Sequence, residues 1–263
     1  MLGRSVWFGV MAVFLGGMAT GCSQKSPASS GLHYIDGSVG QVQASLARGG
    51  RLYDKWYKEI EAPAPKVSHS AYPTTAKYAE KPRANWRCKE CHGWDYRGKE
   101  GAYASGKHFS GIKGISELAG ESPERIIGIL KDGTHQLDGK MSDVDFRDLA
   151  NFVSAGQVDM DLYIDRESKK AHGDVERGEA YYQTVCANCH GADGTKIEKM
   201  PAMGKVANGN PWETLHKILN GQPLEEMPAL RAMGREMPLA SGMRVPADIL
   251  AYTQTLPSKK PGK

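Results

Sequence analysis

Cys88-Lys-Glu-Cys91-His92 and Cys186-Ala-Asn-Cys189-His190 are the two runs on which the reading of this chain turns. Each is C-x-x-C-H, the pattern that attaches a c-type haem. Two thiols one helical turn apart can add to the two vinyl groups of one porphyrin, and the histidine that follows offers its imidazole to the iron as proximal ligand. A zinc site would want a second ligand pair nearby, and a redox dithiol has no need of the histidine. Glycines follow both runs (Gly93 and Gly98; Gly191 and Gly194). The expectation is two haem c groups, held by thioethers at Cys88, Cys91, Cys186 and Cys189, with His92 and His190 on the irons.

The chain has 263 residues, enough for two small domains, and 40% of them are apolar. That modest fraction suits domains in which a porphyrin supplies much of the buried apolar surface. The formal charge of +4 is shared between the halves and gives nucleic-acid binding no support. At the N-terminus Arg4 precedes an apolar run over 6–19, short of the ~20 residues that span a bilayer, and the pattern reads as an export signal over 1–21. Ala19-Thr20-Gly21-Cys22 resembles a bacterial lipobox. Four of the five cysteines are committed to haem, which leaves Cys22 for a lipid. The expected location is therefore the periplasmic side of a bacterial membrane, with the outer membrane slightly favoured. A Ser/Gly/Gln-rich tether follows over 22–43, and the tail 258–263 has no apolar face.

The two runs sit in related frames. Arg48-Gly-Gly-Arg-Leu-Tyr53 and Arg177-Gly-Glu-Ala-Tyr-Tyr182 open amphipathic helices. In the first copy a Pro-rich stretch near 61–85 intervenes before Trp86 and reads as a wrap over the first haem. Middle helices begin at Ser122-Pro123 and Pro211 and stop near Gly133 and Gly221. Closing helices place Phe146, Leu149, Phe152 and Val153, or Ile249, Tyr252 and Leu256, on one face.

This order resembles class I cytochrome c, and the doubled arrangement looks like the dihaem cytochrome c4 type. The resemblance implies an all-α fold of two tandem class I cytochrome c domains, at 44–158 and 174–257, with a linker at 159–173. Opening and closing helices would cross where Gly49 or Gly50 meets Phe152 and Gly178 meets Tyr252. The insertion and the stretch Gly93-Trp-Asp-Tyr-Arg-Gly98 depart from the family pattern.

The resemblance also implies a sixth iron ligand after each middle helix. For the second haem this is Met227, followed by Pro228, with Met237 as rival; Met200 is placed to pack on the haem edge. For the first haem Met141 is favoured and His135 is the rival, followed by His108 or an open iron. Met141 would equally serve as a hydrophobic staple for the closing helix. His69, His172 and His216 have no ligand spacing and read as surface or packing residues. Arg87, Lys89, Lys99 and Lys107 form a solvated basic face or steer an acidic partner. With both irons closed by protein ligands, the function implied is single-electron transfer between redox partners such as a reductase or terminal oxidase. The rival is an enzyme with one open haem, either peroxidase-like or a sulfur-compound oxidoreductase. The second of these uses a distal cysteine, and only Cys22 is spare. A sensing or assembly subunit is the remaining alternative.

Overall fold

The computed structural model describes residues 38–233 and 244–262. Among these every regular element is helical, and the only β pairing is two isolated bridges, Gly98 with Lys113 and Ile164 with Ala171.

The first helix, α1 (Val39–Glu59), starts at a capping box in which Ser38 and Gln41 satisfy each other's backbone N–H. Such a cap is worth ~1 kcal/mol. Residues 39–43, expected to belong to the tether, are therefore helical. Two short helices follow, α2 (Pro82–Asn85) and α3 (Cys88–His92), and α3 carries the first C-x-x-C-H run. The middle helix α4 (Pro123–Lys131) has Ser122 as cap and Pro123 in its first turn; it ends on Asp132 rather than on Gly133. The closing helix α5 (Asp143–Asn151) opens with a Ser142/Asp145 capping box and runs on through a π-turn over Phe152–Gly156.

The second half repeats this order. α6 (Val175–Tyr181) is capped by Asp174, and a π-turn leads into α7 (Ala187–His190), which carries the second histidine. α8 (Met203–Gly209), α9 (Pro211–Asn220), α10 (Leu230–Met233) and α11 (Arg244–Thr253) complete it. Gly221 ends α9 at φ 83°, a left-handed conformation that costs glycine no steric strain.

The repeat holds at the level of single interactions. A Cβ on Gly49 would collide with Asp148 O and Phe152 Cβ, and one on Gly178 with Asp248 O and Tyr252 Cβ. The arginine before each glycine clamps the same helix: Arg48 binds Asp148 and Asp145, and Arg177 grips both oxygens of Asp248. Tyr53 donates to Gly93 O at 2.6 Å, and Tyr182, in the matching register, donates to Gly191 O at 3.0 Å. His92 O accepts from Gly98 N at 2.8 Å, and His190 O from Lys196 N at 3.0 Å.

The halves are not separate bodies joined by a linker. One core cluster runs through both, and Met160 and Ile164, expected to lie in the linker, are almost fully buried in it. The second glycine of the Gly49-Gly50 pair explains the contact. A Cβ on Gly50 would strike the Asn220 side chain, so Gly49 lets α1 approach α5 while Gly50 lets it approach α9. Overpacking such a crossing costs about 1–3 kcal/mol and occasionally more. Gly49→Val and Gly50→Val should each lower the unfolding free energy read from denaturant melts by that order, whereas Gly40→Ala, on an open stretch of α1, should not destabilise the protein.

Candidate functional site

At the first site Cys88 and Cys91 lie one turn apart on α3, with His92 closing the helix. Gly93 follows at φ 80° and Gly191 at φ 84°, so each C-x-x-C-H helix is turned off by a residue free of Cβ strain. Burial pushes the Cys88 and Cys91 thiols up to about 12 and the Cys186 thiol up to about 11. Among the described residues no group of three or more His, Cys, Asp or Glu side chains is arranged to hold a bare metal ion. At the first run two protonated thiols with one imidazole beside them suit thioether attachment of a porphyrin; at the second run Cys186 is half-buried, Cys189 is exposed and open to attachment, and His190 follows. The residues present therefore fit a haem at each run.

The two imidazoles differ in their support. His92 Nδ1 pairs with the Lys113 carbonyl at 2.8 Å, which fixes the ring and leaves Nε2 for a metal. His190 Nδ1 is buried with no partner among the described residues. His135, the rival distal ligand, has its ring centre 6.3 Å from that of His92, with the planes 26° apart. Met141 lies in the core immediately before the Ser142 cap of α5. Met141 and Phe146, both buried, thus occupy the two positions of a hydrophobic staple. His108 is removed from the ligand set by its own surroundings. It is sandwiched between Tyr78 and Tyr103 and pairs with Glu90 at 2.8 Å.

In the second half, Met227 lines an open cleft with Arg51 and Glu59 of α1 and with residues 224–226. Met200 packs against the edge of the core. Met237 and Cys22 lie outside the described residues. Two of the four basic residues expected on a solvated face are turned inward onto buried carboxylates instead, Lys89 buried and Arg87 half-buried. Arg87 pairs with the buried Asp54, and Lys89 binds the buried Glu90 at 2.6 Å. Lys99 and Lys107 are exposed. No helix among the described residues is long and apolar enough to cross a membrane.

The departure from the family pattern after His92 has a clear structural role. Trp94, Asp95 and Tyr96 are all buried, and Trp94 and Tyr96 pack on His216 of the second half. Asp95 binds Arg166 at 2.8 Å and accepts from Ala102 N at 2.7 Å. Tyr96 is held at φ 65°, a strained conformation worth ~1–3 kcal/mol that its partners must offset. Its hydroxyl lies 2.9 Å from His216 Nδ1, while His216 Nε2 lies 2.9 Å from Gly50 O. Since Gly50 O can only accept, Nε2 carries the proton and Tyr96 donates to Nδ1. Trp94, Tyr53 and Phe152 surround the imidazole. Sequence reasoning left His216 as a surface or packing residue; it is packing, fully buried at the centre of the seam. Its place beside Trp212, Leu215 and Leu219 on the apolar face of α9 was the available signal.

Residues 175–253 match the Cytochrome c family model. That span runs from the first residue of α6 to the last of α11 and encloses the second C-x-x-C-H run. The match supports a class I c-type cytochrome, with covalently bound haem c and haem-based electron transfer. No curated protein matches the chain.

Burial holds the His216 pKa down at about 4, below its ordinary 6.5. Between those values the unfolded chain binds the additional proton. The neutral imidazole's contribution is thus complete above about 6.5 and is lost as pH falls toward about 4. His216→Gln should be less stable than the parent at neutral pH and should show a shallower loss of stability over that window. Denaturant midpoints measured across the pH range check this.

Proposed function

We propose that the chain is a dihaem c-type cytochrome built from two tandem class I domains, which passes single electrons between redox proteins. Anchored through a lipid on Cys22, it would work on the periplasmic side of a bacterial membrane. The observation that carries the reading is the duplicated frame around the two C-x-x-C-H helices. Arginine, glycine and tyrosine recur in one register on each opening helix. They meet the same aspartate-to-aromatic step on each closing helix and the same glycine carbonyl after each histidine. The second copy is the one that matches the Cytochrome c family. A first copy built on the same interactions is read as the same kind of domain.

Haem iron supplies a reversible one-electron couple, and the chain's part is to bind it, orient it and keep water away. Cys88 with Cys91 and Cys186 with Cys189 would hold the two macrocycles. His92, steadied by the Lys113 carbonyl, and His190 would ligate from the proximal side. In the second half the sixth ligand would be a methionine of the segment after Gly221, where Met227 and Met237 stand. The buried guanidinium of Arg231 donates to Gly156 O, and its other donors have no anion among the described residues. A propionate-bearing group is the kind of anion it suits. No nucleophile or acid–base pair is asked of the protein.

The test is the full chain expressed in a host that matures c-type cytochromes. Two irons and two thioether-bound haems per chain are expected, both reduced and reoxidised reversibly, with no carbon monoxide binding to the reduced form. Cys186→Ala/Cys189→Ala and Cys88→Ala/Cys91→Ala should each halve the haem content. A single haem in the parent protein would overturn the dihaem reading. Ready carbon monoxide binding would overturn the carrier role in favour of an enzyme with an open iron.

A further inference from the structure

We propose that His135 is the sixth ligand of the first haem, which would make that iron bis-histidine while the second keeps a thioether. The proposal rests on the reading that Cys88 and Cys91 hold a haem, and it goes further by naming what closes the opposite face.

The geometry is specific. The His92 and His135 rings face each other with their centres 6.3 Å apart and their planes within 26°. A metal–imidazole nitrogen bond of ~2.0 Å and a further ~1.1 Å to the ring centre put two imidazoles on opposite sides of one metal about 6.2 Å apart. Each ring is backed through Nδ1: His92 by the Lys113 carbonyl at 2.8 Å, His135 by Asp132 Oδ1 at 3.1 Å. Metal-bound histidines are normally held in this way by an acceptor on the second nitrogen. Neither Nε2 has a hydrogen-bond partner among the described residues.

The loop that carries His135 is built to hold one position. Asp132 Oδ1 also accepts from the backbone N–H of Thr134 and of His135, both at 2.8 Å. The Pro-rich insertion, absent from the second half, supports the loop from outside. His69 Nε2 lies 3.0 Å from His135 O, and its ring rests on Trp86 at 4.3 Å. Gln136 is held at φ 55° and donates to Ser70 Oγ at 2.7 Å. The second half, which lacks the insertion, has no histidine in the corresponding segment after Gly221. Met141, by contrast, already has a place beneath α5.

A second imidazole in place of a thioether lowers the reduction potential, because methionine ligation is what raises it in cytochromes c. The two irons would then titrate as separate couples, with the first haem the lower.

The experiment is spectroscopy on the ferric full-length holoprotein, with its haem count determined on the same sample. Near-infrared magnetic circular dichroism should show one charge-transfer band of bis-nitrogen ligation and one of nitrogen–sulfur ligation. Electron paramagnetic resonance should show a rhombic low-spin signal for the first haem, as near-parallel imidazole planes require. His135→Ala should convert one haem from low-spin to high-spin, and added imidazole should restore it; Met141→Leu should leave both haems unchanged. Two nitrogen–sulfur bands in the parent would overturn the proposal, as would a His135→Ala spectrum identical to the parent. If His135→Ala fails to accumulate, the parent spectrum decides alone. A protein with no haem on Cys88 and Cys91 would instead remove the dihaem reading, and the haem count separates that outcome from a wrong axial ligand.

Discussion

The hydrogen-bonded line from Tyr96 through His216 to Gly50 is the constraint on which the arrangement of the molecule depends. It joins a residue just past the first C-x-x-C-H run, a residue of the second half's middle helix and the backbone of α1. Every polar atom in it is buried, so each must be paired or cost ~1–3 kcal/mol. Around it lie charges that also cross the seam: Arg166 on Asp95, Lys217 near Asp54, Lys58 on Glu225. The first two keep a buried carboxylate from being left without a counter-charge, whereas the exposed Lys58–Glu225 pair adds little. The aromatic packing of Trp94, Tyr53 and Phe152 about the imidazole supplies the apolar burial that makes the seam stable.

The two halves share a frame but have diverged in what they add to it. The first spends its extra residues on the wrap over 61–85, organised by the buried Asn85, which binds His69 N, Tyr78 O and Ala79 O. That wrap ends against the loop over 132–137. The second half instead gives its middle helix to the contact with α1. One copy elaborates the surroundings of its 132–137 loop, and the other elaborates the junction.

Much of this was legible in the sequence because its signals are local. The C-x-x-C-H runs, the Arg-Gly-x-x-x-Tyr register and the serine caps of α4 and α5 are short patterns with one structural solution each. The crossing glycines were legible as a pair, but sequence could not say that Gly49 serves α5 and Gly50 serves α9. That division depends on where α9 lies. The departure at Trp94-Asp95-Tyr96 was visible as an oddity, and its purpose needed the other half beside it. The buried pairs of Arg87 and Lys89 were missed because a charged residue near a haem edge reads as solvated unless its partner is seen. The use of Met141 was open in the sequence, since a position just ahead of a helix cap suits a staple and a ligand equally. The structure adds that Met141 is buried ahead of the Ser142 cap and that the His135 ring lies beside that of His92.

The seam is a shared core and not a hinge, so the distance between the α3 and α7 helices is set when the chain folds. Charge handed from one to the other would cross a fixed span of protein, at a pace indifferent to solvent viscosity and to the swing of one lobe against another.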